Sequence, residues 1–165
     1  MQTPVFTRFS SSGALALLSF GAVAAAILMQ MALSLTPCPL CIFQRVLYLT
    51  VGVAALFSTW RPMRTTGLAF ATLASLAGLS VAGWHTYIQA NPAMFSTCTP
   101  GVSYLFDNFP LADILPILFK GGGQCFHVDR TFFGATIPQM SIAAFLTCAV
   151  VAARGVARSI KAGRS

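Results

Sequence analysis

The stretch Pro37-Cys38-Pro39-Leu40-Cys41-Ile42-Phe43-Gln44-Arg45 lies where one long apolar run ends and a second begins. Its two prolines are out of place in a helix interior, because each removes a backbone donor and restricts the residue before it. A break is therefore predicted around Pro37-Cys38-Pro39, with a new helix from about Leu40. Cys41 then falls in the first turn, where the positive end of the helix dipole stabilises thiolates. Arg45 follows four residues later on the same helix face. Near a bilayer boundary its charge is costly unless it has a partner or reaches the interface. A thiolate at Cys41 is such a partner; a snorkelling interfacial anchor is the alternative.

The flanking runs belong to a chain of 165 residues that is 56% hydrophobic and only 8% charged, with mean hydropathy +0.78. Such a composition excludes an ordinary soluble domain. A bilayer-spanning helix needs about 20 mostly apolar residues. Residues 13–35, 40–58, 67–88 and 135–153 meet that requirement. The expectation is an all-α integral membrane protein, a single domain built as a four-transmembrane-helix bundle. Arg8 supplies a weak positive region before the first run. That run is long and lacks a small-residue cleavage pattern before Pro37, so a retained span is expected rather than a cleaved signal.

Charge sets the orientation. Arg8 precedes the first span, Arg61 and Arg64 lie between the second and third, and Arg154, Arg158, Lys161 and Arg164 follow the fourth. With four spans these regions share one face, which the positive-inside rule makes cytoplasmic. Residues 59–66 form the cytoplasmic loop and 154–165 the cytoplasmic tail, while 36–39 and 89–134 lie outside. All three acidic residues, Asp107, Asp113 and Asp129, fall in the second outer connection. The net charge of +7 is thus a topology signal. Basic residues split among membrane-flanking segments argue against a nucleic-acid partner.

This orientation puts Cys38 and Cys41 at the outer membrane surface and Cys98 and Cys125 in the outer loop, where disulfides persist. Cys148 falls within the fourth span and reads as a small buried apolar side chain. His85, near the outer end of the third span, is placed to supply or relay protons, or to be an interfacial histidine bonded to a loop carbonyl. Gln44 is placed either to donate to an electron acceptor or to make an interhelix hydrogen bond. His127 reads as an exposed loop residue. A Cys98–Cys125 bridge would close a loop of roughly 27 residues and contribute about 3–4 kcal/mol, so a structural staple is one reading. The adjoining Gly121-Gly122-Gly123 favours the other reading, a mobile arm for thiol exchange. Zinc would require a second closely spaced pair, which Cys98 and Cys125 do not provide; no metal site is expected.

Within the outer loop, Tyr104 to Lys120 is apolar but interrupted by Asp107, Asp113, Pro110 and Pro116. It is too short and too broken to span, and suits a segment lying in the interface with short helical turns. A loop packed on a partner domain would have the same composition.

The run from Pro37 to Arg45 resembles the Pro-Cys-x-x-Cys-x-x-(Glu/Gln)-Arg signature of the disulfide bond formation protein B (DsbB) family. The loop is similar too, from Cys98 through Phe109-Pro110-Leu111 and Pro116 to Gly123-Gln124-Cys125. So is Phe133-Gly134 followed by Pro138-Gln139, ahead of the fourth span. Gln44 stands where some members carry glutamate, and Met140 where an aromatic is common. The resemblance covers nearly the whole chain. It implies a protein-dithiol:quinone oxidoreductase of the bacterial inner membrane that reoxidises a periplasmic DsbA-like thiol oxidase. The implied catalytic residues are Cys38, Cys41, Cys98 and Cys125. Cys41, Gln44, Arg45 and His85 would face a quinone, either ubiquinone or menaquinone. Two other classes compete. A vitamin K epoxide reductase-like enzyme carries its quinone-facing Cys-x-x-Cys in a late span, whereas Cys38 and Cys41 come early. A membrane adaptor with structural disulfides would leave Arg45 unexplained.

Overall fold

The computed structural model describes residues 5–34, 37–92, 131–132 and 134–163. Four long helices dominate: α1 (Val5–Leu33), α2 (Pro39–Phe57), α3 (Arg64–Ala90) and α4 (Ile137–Gly163). All four contain a segment long and apolar enough to cross a membrane. In the bundle α1 packs on α2, α2 on α3, α3 on α4, and α4 back on α1. Contacts at the ends show that neighbours run antiparallel. Ser12 near the start of α1 meets Ser58 at the end of α2, with the hydroxyls 2.8 Å apart. Thr65 at the start of α3 meets Ser159 near the end of α4 at 2.7 Å. The chain is a multi-pass, all-α membrane protein.

Local sequence explains where the helices begin. Pro39 opens α2 at a position where its missing N–H costs nothing, and Cys38 is the extended N-cap residue. After Ser58 the chain makes a short 3-10 turn at Arg61–Met63 before α3. Ahead of α4, Thr131–Phe132 (β1) and Ala135–Thr136 (β2) pair antiparallel. Gly134 links them with φ +81, a conformation that suits glycine. Residues 135 and 136, part of the fourth apolar run, are therefore strand, and helix starts at Ile137. There the Gln139 side chain reaches back to accept from the Thr136 N–H at 3.0 Å, one half of a capping box. The helices also outrun their apolar cores. α1 begins eight residues before Gly13, and α4 continues past residue 153 to Gly163. Alanine, arginine and lysine are good helix formers, and Arg154, Arg158 and Lys161 are exposed.

Lipid tails are as apolar as leucine, so helices in a bilayer associate by close packing rather than by hydrophobic exclusion. α3 is built for this. Its buried positions Gly67, Ala71, Ser75, Gly78, Ala82, His85 and Ile88 recur every three or four residues, and most are small. The Ser75 hydroxyl donates to the Ala71 carbonyl at 2.7 Å and the Ser19 hydroxyl to the Leu15 carbonyl at 2.9 Å, so neither needs water. In the bundle centre the rings of Tyr48 and Phe145 stack at 3.9 Å, and Tyr48 donates to the Ser141 carbonyl at 3.2 Å. Cys148 is buried in the apolar core with Leu15, Val51, Leu68 and Ala152. Large apolar side chains such as Leu17, Leu28, Phe70 and Leu73 point outward, as lipid contact requires. Aromatic pairs mark both ends, Phe57 with Trp60 at one and Trp84 with Tyr87 at the other, consistent with interfacial belts. The interfacial segment expected from Tyr104 to Lys120 lies outside the described residues, as do Cys98, Cys125, His127 and the three aspartates.

Candidate active site at the start of α2

The turn into α2 brings two sulfurs together. As N-cap, Cys38 presents its Sγ to the Cys41 backbone N–H, which donates to it at 3.4 Å. A cysteine thus takes the place usually held by serine, threonine or aspartate. The same turn sets the Cys41 Sγ 3.1 Å from the Cys38 Sγ, both as thiols. A helix N-terminus favours negative charge, so this is suitable ground for a sulfur that receives electrons.

α3 supplies the third member. Because it runs antiparallel to α2, its final turns pass the start of α2. His85 there places Nε2 3.6 Å from the Cys38 Sγ, while its Nδ1 lies 3.3 Å from Nε2 of Gln44. The three groups form a chain from Gln44 through the imidazole to Cys38. All are buried: Cys38 is 5% exposed, Gln44 4% and His85 2%.

Arg45, 7% exposed, is the fourth. It interacts electrostatically with Cys41 and Cys38, so a fixed positive charge faces the dithiol from within the bundle. A snorkelling anchor would hold its head in water; burial at this depth argues against that role. The same end of the molecule buries Oε1 of Gln30, Oε1 of Gln89 and Oγ1 of Thr136 with no hydrogen-bond partner among the described residues. The buried serines Ser12, Ser19, Ser58 and Ser75 lie towards the other end and the middle of the bundle, whereas the buried charged and imidazole groups among the described residues, Arg45 and His85, gather at the dithiol.

Of the residues singled out from the sequence, the structure gathers Cys38, Cys41, Gln44, Arg45 and His85. Cys98 and Cys125 lie outside the described residues. Two relations were not legible beforehand. The partner of Gln44 is His85, and the sulfur next to His85 is Cys38. One available signal is the buried stripe of α3, because His85 continues the Ser75, Gly78, Ala82 series at helical spacing.

A dithiol at the start of an apolar helix, one sulfur buried and one half-buried, with a cation and an imidazole against it, is an arrangement suited to a membrane thiol oxidoreductase. The sequence model of the family described as disulfide bond formation protein DsbB matches residues 9–154. A disulfide bond formation protein B of Methylobacillus flagellatus is 40% identical over 133 residues, covering 78% of this chain and 80% of that protein. Namesakes from Nitrosococcus oceani and Azoarcus sp. are each 36% identical, over 72% and 83% of this chain and 73% and 82% of theirs. The chain belongs to the DsbB family, the membrane oxidoreductases of disulfide bond formation.

Proposed function

We propose that this protein reoxidises a periplasmic thioredoxin-fold oxidase of the DsbA kind and passes the two electrons through Cys98/Cys125 and Cys38/Cys41 to a membrane quinone, ubiquinone or menaquinone. The observation that carries the reading is the Cys38–Cys41 dithiol at the start of α2, with His85 beside Cys38 and the buried Arg45 charge acting on both sulfurs. In this scheme the partner's thiolate attacks Cys98 and releases Cys125, which attacks Cys38 and frees Cys41. The partner's second cysteine then displaces Cys98 from the mixed disulfide. The freed Cys98 attacks Cys125, re-forming the outer disulfide and releasing Cys38, so that Cys38 and Cys41 are left as thiols. Closing their disulfide then releases two electrons and two protons.

The donor set suits a quinone. A bound quinone supplies a two-electron, two-proton acceptor whose oxygens gain negative charge. Among the described residues Arg45 is the buried cation available to stabilise that charge, and Cys41 lies one turn before it on α2. Potentials supply the reason for such an acceptor. A DsbA-type partner lies near about −120 mV, whereas structural disulfides lie below about −300 mV and cannot oxidise it. Membership of the family implies the bacterial inner membrane, and the charge pattern then puts the termini in the cytoplasm and Cys38, Cys41, Cys98 and Cys125 on the periplasmic side.

The test is thiol trapping during turnover. Acid quenching and alkylation of the protein mixed with reduced thioredoxin-fold donor and quinone should show both cysteine pairs passing through reduced states. Bridges that stay oxidised throughout would make them structural and defeat the reading. Arg45 is expected to show its role separately. Arg45→Met keeps the length and removes the charge, and quinone reduction should fall on the order of 100-fold, the usual cost of losing one donor to a developing anion. Thermal stability should hold or rise, because a buried charge is replaced by an apolar side chain. Near-normal quinone reduction in purified Arg45→Met protein would return Arg45 to an anchoring role.

A further inference from the structure

The contacts of the His85 ring carry an inference about which atom holds its hydrogen. An amide nitrogen only donates, so with Gln44 Nε2 at 3.3 Å the Nδ1 of His85 must accept. A neutral imidazole that accepts at Nδ1 carries its hydrogen on Nε2, the atom 3.6 Å from the Cys38 sulfur. We propose that Gln44 is a positioning residue, holding His85 as the Nε2–H tautomer so that the ring donates to Cys38 and favours its thiolate instead of serving as its base. This rests on the reading of Cys38 as a redox sulfur and adds the direction of its hydrogen bond.

Two further features agree with that direction. Cys38 already accepts from the Cys41 N–H at 3.4 Å. A second donor at Nε2 leaves the Cys41 sulfur, 3.1 Å away, as the one acceptor facing Cys38, to which the Cys38 thiol donates while it keeps its proton, and the Arg45 charge acts on both sulfurs. In addition, the two sulfurs and a His85 ring nitrogen lie within 4.8 Å of one another, a grouping that would otherwise suit a thiophilic cation. With hydrogen on Nε2, the nitrogen nearest the sulfurs has no lone pair to give, so the arrangement serves thiol chemistry rather than ligation. No covalent bond to sulfur changes in this arrangement.

A structural bridge between α2 and α3 would be met by glutamine or glutamate alike, whereas the ring hydrogen would not stay in place. The chain has two histidines, so His127→Gln leaves His85 as the only ring signal. In reduced, histidine-15N-labelled protein in detergent, the bonded hydrogen should be found on Nε2 and Nδ1 should be bare. Gln44→Glu offers only acceptor oxygens and should move the hydrogen to Nδ1, while Gln44→Leu should give a mixture. With Cys38 as the sole remaining cysteine, Gln44→Leu should also slow its alkylation at fixed pH about tenfold, the scale of one hydrogen bond to a charged sulfur. Hydrogen on Nδ1 in the otherwise native chain, an even mixture there, or Gln44→Leu protein indistinguishable in both readouts overturns the proposal. Neither readout uses quinone or donor protein, so a failure of the electron-transfer scheme and a failure of this assignment are told apart.

Discussion

Cys41→Ser protein is expected to fold normally and to reduce no quinone. A serine hydroxyl cannot form or break a disulfide, so Cys38 is left without a resolving partner. A thiolate reaching Cys38 would have no disulfide to attack there, and the two electrons would have no route past the outer pair. The loss should be complete within detection, at least about 1000-fold, because no other group substitutes for a sulfur in exchange chemistry. Stability should change little. The Cys41 side chain is half-buried at the helix start, and its backbone N–H, which bonds the Cys38 sulfur, is retained by serine. The measurement is quinone absorbance in membranes or detergent with a reduced thioredoxin-fold donor. Turnover at the normal rate would mean that electrons bypass the inner dithiol. Cys148→Ser is the companion control: that thiol is packed with Leu15, Val51 and Ala152, away from the Cys38–Cys41 pair, and quinone reduction should persist.

How much of this was readable from the sequence differs sharply between fold and site. The four helices were legible because a bilayer imposes a length and an apolar composition that one strand of sequence displays openly. The Cys41–Arg45 relation was legible for the same kind of reason, since four residues make one helical turn. What joins residues on different helices was not. Cys38 and His85 are 47 positions apart and Gln44 and His85 are 41 apart. Their meeting depends on how far α3 slides along α2, which small side chains such as Ala71 and Ala82 decide through close packing. The capping role of Cys38 was also hidden. The two prolines suggested a start near Leu40, and the shift of one residue to Pro39 turns Cys38 from a linker residue into the N-cap. β1 and β2 escaped notice because two-residue strands have no periodicity to read.

That same close packing predicts the largest effect on stability. Gly78 on α3 faces Phe145 on α4, and a β-carbon placed there would have Cδ1 and Cζ of the ring at 2.5 Å, with Cε1 nearer still. Phe145 cannot turn aside easily, because it is fully buried and stacked on Tyr48 of α2, which is itself tied to the Ser141 carbonyl of α4. Gly78→Ala should therefore cost about 1–3 kcal/mol, the usual range for overpacking, and Gly78→Val more. Gly83, one and a half turns further along α3, has nothing within 4 Å of its β-position. There Gly→Ala should be neutral or stabilise by up to about 1 kcal/mol, from helix propensity alone. Thermal unfolding of the two alanine variants in one detergent should thus shift in opposite directions. Because Tyr48 lies one turn beyond Gln44 on α2, the damage at Gly78 should also reach the site and lower quinone reduction in protein that remains folded. Equal melting temperatures for Gly78→Ala and Gly83→Ala would show that α3 and α4 separate at little cost, and that this layer does not set the register holding His85 against Cys38.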